Sequence, residues 1–105
     1  MGGLDTSWVA TWGSGCPVLG ILVEFDALPG LGNDTVPHQT PAKSGNTNGH
    51  GCGHNLIAST SVGAAIALKN YMEKNKIAGT LRVVGCPAEE YLGLSGFAAR
   101  WGCND

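Results

Sequence analysis

The 105-residue sequence predicts an α/β fold, a mixed sheet with a βαβ crossover and helix cover. Three observations predict it. Residues 18–25 form an apolar run between Pro17 and Asp26, as a strand buried on both faces of a sheet does. Residues 55–75 then change to helical periodicity, and residues 80–86 return to β-branched and apolar types.

Taken in order, residues 7–12 (Ser-Trp-Val-Ala-Thr-Trp) are β-branched and aromatic and predict a first strand. Residues 13–17 hold two glycines and a proline, which predict a turn and hairpin pairing with the strand at 18–25. Residues 31–48 carry Pro37, Pro41 and three asparagines and read as a long loop, a feature often tied to function. In the helix, Leu56, Val62, Ile66 and Tyr71, with Ala65, Leu68 and Met72 between them, form one broad apolar stripe. Small residues such as Ala58, Ser61 and Ala65 predict a close approach to the sheet, and Gly79 a stop. Pro87 to Tyr91 cap the third strand, and residues 93–101 begin another helix.

Composition excludes several classes. The net charge is −2 with no run of Lys or Arg, which argues against nucleic acid as a partner. No apolar stretch reaches the roughly 20 residues of a membrane span, and the start Met-Gly-Gly-Leu-Asp is not a signal peptide. Four cysteines without the density of a disulfide scaffold read as free thiols, hence a cytoplasmic protein.

Two polar clusters fall at the C-terminal ends of strands, where open α/β sheets hold ligands. One is Gly49-His-Gly-Cys-Gly-His-Asn55, ahead of the helix; the other is Pro87-Ala-Glu-Glu90. Asp26 closes the second strand and can join them. Cys52 and His54 are spaced i, i+2, so on extended backbone a thiolate and an imidazole reach one ion. A nearby helix N-terminus would lower the Cys52 pKa. Glu89 and Glu90 are adjacent and should diverge, one binding metal and one free as a base. The same residues also fit a buried Cys beside a helix-capping His, with the two glutamates on a solvated loop. A phosphate loop fits worse, because the Gly-x-Gly-x-x-Gly register from Gly49 meets His54 at its last position. A Cys/His nucleophile pair leaves no space for an acyl group.

Three segments in register carry a resemblance: Val23-Glu-Phe-Asp-Ala-Leu-Pro-Gly30, Gly49-His-Gly-Cys-Gly-His-Asn-Leu56 and Gly85-Cys-Pro-Ala-Glu-Glu90. Together they resemble the aminoacylase/carboxypeptidase superfamily (peptidase family M-twenty), amidohydrolase branch. The resemblance implies that residues 1–105 are part of a metal-binding catalytic domain, without the lid and dimerisation domain. It implies Cys52, His54 and Glu90 as metal ligands and Glu89 as the catalytic base. Asp26 matches an acidic position beside the metal, and Glu24 a position that holds a metal-binding His in the peptidase branch. His50 braces the motif loop, and His38 is a surface histidine. Implied cofactors are divalent metal, Zn2+ or Mn2+, two per site in intact relatives. The implied reaction is hydrolysis of a small-molecule amide, an N-acyl amino acid or dipeptide-like substrate, by a homo- or hetero-oligomer. Tyr91, Leu92 and Leu94 stand where the family has a glycine-rich run. With three ligands and no lid, the isolated chain is expected to be inactive, and its open sheet edges to favour self-association.

Overall fold

The last strand among the described residues is the middle strand of the sheet. The computed structural model describes residues 6–92. These form β1 (Trp8–Ser14), β2 (Val18–Glu24), α1 (His54–Asn75), β3 (Gly79–Cys86) and α2 (Glu89–Leu92). The sheet order is β1-β3-β2. β3 runs antiparallel to β1, from Trp8↔Gly85 to Ser14↔Gly79. It runs parallel to β2, from Val18↔Thr80 to Glu24↔Cys86, with α1 in the crossover. The mixed α/β sheet and its βαβ unit are therefore present. The helix expected at 93–101, and Tyr91, Leu92 and Leu94 as side chains, lie outside what is described.

The expected β1–β2 hairpin does not form. β3 enters between the two strands, and residues 15–17 straddle its start. The Thr80 N–H donates to the Pro17 carbonyl at 2.9 Å, and its hydroxyl donates to the Gly15 carbonyl at 2.7 Å. Two strand spacings are roughly 9.5 Å, which the four Cα steps from Ser14 to Val18 can span. Burial explains the order. Both β2 and β3 are apolar, but β3 is buried at both ends, whereas β2 is fully buried only at Val23. The strand with least need of solvent takes the centre, and β2 is not buried on both faces as expected.

α1 lies mainly over β2, and only one edge of the predicted stripe, Ala65, Leu68 and Met72, faces the sheet. Leu56, Ile66 and Tyr71 are 65%, 55% and 60% exposed. Instead His54, Ala65 and Met72 are buried, with Ala58, Ser61 and Leu68 partly so. Small side chains let the helix axis approach the sheet, so the small-residue face wins over the bulkier one. The helix ends at Lys76 (φ 53°), where the Ile77 N–H bonds the Met72 carbonyl at 2.9 Å, three residues before Gly79. An apolar cleft of about 240 Å³ lies between α1 and β1, lined by Trp8, Trp12, Val62, Ile66 and Leu81, with Lys69 over the Trp12 ring.

The loop before α1 is organised around Asn33. Its Oδ1 accepts from the Thr40 N–H at 2.7 Å, and its Nδ2 lies 2.9, 3.3 and 3.1 Å from the carbonyls of Asp34, Val36 and His38. Lys43 pairs with Asp34 at 3.1 Å. Cys52 and Cys86 are free, but Cys16 is disulfide-bonded, which corrects the reading of four free thiols and removes the composition argument for a reducing cytoplasm. Cys103 lies outside the described residues. Among the described residues no helix is long and apolar enough to cross a membrane.

Candidate metal centre

Parallel pairing of β2 with β3 sets Glu24 beside Cys86, so the segments that follow both strands leave the sheet side by side. Phe25 and Asp26 continue β2; Pro87 and Ala88 (φ 56°) turn the chain into α2, which opens on Glu89 and Glu90. The third contributor is tied in by an isolated bridge. Leu28 and Gly49 exchange backbone hydrogen bonds at 2.9 and 3.0 Å. A side chain at Gly49 would run into the Leu31 carbonyl, so glycine is needed for this close approach. Gly53, at φ 90°, then reverses the chain, and its carbonyl accepts from the N–H groups of Leu56 and Ile57 to start α1.

That reversal buries His54, the first residue of α1, to 1% exposure. Its Nδ1 donates to the Asp26 main-chain carbonyl at 2.9 Å, and the Asp26 carboxylate oxygen Oδ1 is 3.2 Å from the same atom. A carbonyl only accepts, so Nδ1 carries the proton and the neutral ring presents its lone pair at Nε2. Around Nε2 stand Glu89 Oε1 at 3.3 Å, Glu90 Oε1 at 3.5 Å and Glu24 Oε2 at 3.7 Å. The Cys52, His54 and Glu90 ligand atoms lie within 4.8 Å of one another, as do those of Glu24, His54 and Glu89.

The structure thus brings Cys52, His54, Glu89 and Glu90 to one place, with Asp26 behind the imidazole. Glu24 joins them, at the position where the resemblance has a metal-binding His in the peptidase branch. His50 is exposed and contributes its carbonyl to the Gly53 N–H; His38 is exposed in the loop. Two expectations fail. Glu89 and Glu90 do not diverge, because the turn at Ala88 and the first turn of α2 aim both at Nε2. The Cys52 pKa is raised rather than lowered: its thiol bonds the Glu90 carboxylate, some desolvation adds although the residue is exposed, and Glu90, Glu89 and Glu24 repel a thiolate.

The other titrating groups report the same crowding. Burial pushes the Glu89 carboxyl above its ordinary value, and the charges of Glu24 and Glu90 push it further. Burial opposes a charge on His54, yet the Asp26 carbonyl and the carboxylates of Asp26, Glu24 and Glu89 outweigh it and raise its pKa. Cys86 is raised chiefly by burial and stands apart from the cluster. Asp26 Oδ1 is buried with no hydrogen-bond partner among the described residues.

A divalent cation fits this donor set. Ligands about 2.1 Å from a tetrahedral ion are about 3.4 Å from each other, close to the distances found around Nε2. Imidazole, thiolate and carboxylate are the donors such ions take, and a cation would offset the carboxylate repulsion.

The family model for peptidase family M20/M25/M40 matches residues 22–104. The chain is 39% identical over its full length to one of the subunits of p-aminobenzoyl-glutamate hydrolase from Escherichia coli (strain K12), covering 22% of that protein. It is 34% identical over 97 residues to Xaa-Arg dipeptidase of Mus musculus, 84% of this chain and 19% of that one. Against Xaa-Arg dipeptidase of Homo sapiens it is 36% identical over 75 residues, 69% of this chain and 13% of that one. No solved structure matches the chain. The chain spans about a fifth of the first two relatives. Having the α/β core, the clustered donors and a family match across residues 22–104, this chain belongs to peptidase family M20/M25/M40.

Proposed function

We propose that the chain is the metal-binding part of an amidohydrolase that cleaves an amide bond in an N-acyl amino acid or dipeptide-like substrate. The observation that carries this reading is the convergence of Glu89 and Glu90 on Nε2 of the buried His54. The named relatives act on p-aminobenzoyl-glutamate and on Xaa-Arg dipeptides, both amides of an amino acid, which supports the substrate class.

In this reading Cys52, His54 and Glu90 hold a Zn2+ or Mn2+ ion. When bound, that ion supplies Lewis-acid polarisation of the scissile carbonyl and acidifies a water. Glu89 takes the proton from the attacking water and returns it to the departing amine. Its raised pKa suits both tasks, since a base closer to neutrality is also a usable acid. The Asp26 main-chain carbonyl fixes the His54 tautomer from behind, as a backbone acceptor does for many metal-binding imidazoles, and the Asp26 carboxylate lies beside the same nitrogen.

The coverage of about a fifth of the relatives favours a second element: residues 1–105 taken alone bind metal without turnover, as one part of a catalytic domain. Exposed Leu56, Ile66 and Tyr71 support assembly with further polypeptide, a second copy or a different chain. The test is a chimera in which residues 6–92 replace the matching segment of the Escherichia coli relative. Metal-dependent release of glutamate from p-aminobenzoyl-glutamate by the chimera supports the reading. A folded, metal-loaded chimera without turnover, alongside an active parent, contradicts it.

A further inference from the structure

Asn48-Gly49 is the one Asn-Gly pair in the sequence, and it stands at the end of the loop, just ahead of the turn that bears Cys52 and His54. Glycine puts no side chain between its own amide nitrogen and the preceding carboxamide, so nothing shields that nitrogen from the asparagine Cγ. The Asn48 side chain is exposed, and its carboxamide makes no hydrogen bond among the described residues. The nitrogen, by contrast, is engaged. The Gly49 N–H donates to the Leu28 carbonyl at 3.0 Å, and the Leu28 N–H donates back to the Gly49 carbonyl at 2.9 Å. A nitrogen held in that bridge cannot turn onto its neighbour. Asn46, in the same loop, is followed by β-branched Thr47, which crowds the equivalent approach.

We propose that Asn48 is a site of spontaneous modification by water, gated by the Leu28–Gly49 bridge. When the bridge opens, the Gly49 nitrogen attacks the Asn48 Cγ. The N–Cγ bond forms, the Cγ–Nδ2 bond breaks, and ammonia leaves with the Gly49 amide proton. Water then opens the cyclic imide at one of its two carbonyls. Cleavage of the new bond leaves aspartate; cleavage of the original peptide bond leaves isoaspartate, whose main chain runs through Cβ and Cγ and is one carbon longer. That longer main chain cannot rebuild the bridge. Gly49 lies so close to the Leu31 carbonyl that even a Cβ has no room, and Gly32 is packed against Asn46 and Thr47 in the same way. Because the bridge ties the turn before α1 to the segment that follows β2, isoaspartate loosens the turn from the strand. The loop thus carries a chemical clock that runs at the opening frequency of the bridge. None of these steps requires a metal ion.

The experiment ages the purified chain at mildly alkaline pH and follows it by peptide mapping, beside the same chain in urea and a synthetic peptide of residues 44–51. Two hydrogen bonds must open before the folded chain reacts, so Asn48 there should convert at least about tenfold more slowly than in the peptide. The chain in urea should match the peptide within about twofold, with isoaspartate formed at position 48 and Asn46 lagging behind. Equal rates in the folded chain and the peptide overturn the gate. Conversion at Asn46 ahead of Asn48 overturns the site. Hydrogen exchange then reads the product. In the isolated isoaspartate form, protection of the Leu28 amide should fall by at least about fivefold. Asn48→Asp, which adds the same charge on an ordinary main chain, should keep that protection within about twofold. Full protection of Leu28 in the isoaspartate form, or an equal loss in Asn48→Asp, overturns the loosening of the turn.

Discussion

Nδ1 of His54 donates a 2.9 Å hydrogen bond to the main-chain carbonyl of Asp26, 28 residues earlier in the chain. Because the acceptor belongs to the backbone, replacing the Asp26 side chain leaves this bond in place and removes only the carboxylate behind it. Asp26→Asn should therefore lower the His54 pKa without freeing the ring. Titration of the His54 ring protons by NMR in the metal-free chain checks this; an unchanged midpoint would show that the Asp26 charge is not felt.

The shifted groups also give the metal-free chain a definite pH dependence. The pKa values of Glu89, His54 and Cys52 are all raised, from ordinary values of 4.5, 6.5 and 9.0. A raised value means that the folded state holds the proton more tightly. That stability is fully present below the unfolded value and fades as pH rises through the folded one. From Glu89 and His54, Tm in a chelator should be higher near pH 5.5 than near pH 8, while Cys52, raised from 9.0, contributes equally at both. Added Zn2+ should reverse the order, because bound ligands must be deprotonated. Thermal melts at the two pH values, with and without ion, are sufficient.

Helix burial makes a contrast between neighbours. Met72 is 3% exposed and packs over the start of β3 at Gly79, while Tyr71 faces outward. Met72→Ala should cost about 2–5 kcal/mol, whereas Tyr71→Ala should cost under about 1 kcal/mol. Urea denaturation of both variants shows which edge of the broad apolar stripe packs on the sheet; equal losses would contradict the buried edge at Met72.

The Asn33 side chain holds the loop before α1. Asn33→Ala removes the acceptor for the Thr40 N–H and the donor shared by three carbonyls. Protection of the Thr40 amide from hydrogen exchange should fall by roughly fivefold, with α1 unaffected. Protection lost equally throughout the chain would mean that the loop and the sheet open together.

Glu89→Gln in the chimera tests the base. Turnover should drop by roughly 10²–10⁴-fold while Zn2+ affinity stays within about threefold. A parallel loss of Zn2+ would make Glu89 a ligand beside Cys52, His54 and Glu90 instead of the base.

The elements themselves are readable from pattern. Helix α1 begins and ends within a residue of the periodic stretch, and β3 begins one residue before the apolar run at 80–86. Strand order is not, because β2 and β3 carry the same local signal and only burial across the whole sheet separates them. Which edge of the helix stripe is buried escapes the pattern for a related reason: spacing identifies a broad apolar stripe that includes Ala65 and Met72, but close packing is decided by small residues such as Ala65. At the metal centre, two-residue spacing is enough to unite Cys52 with His54. Glu24 reaches Nε2 through the register of β2 against β3, a long-range quantity that no local motif contains.

The straddling turn at residues 15–17 has a consequence for assembly. Each N-terminal strand has its hydrogen-bonding partner in β3, as far as 77 positions downstream for Trp8, so no early pair can zip from a tight bend. A nascent polypeptide carries both strands with open backbone edges until Cys86 has emerged from the ribosome. Such delayed, long-range closure slows folding and leaves an interval in which edge-to-edge aggregation competes.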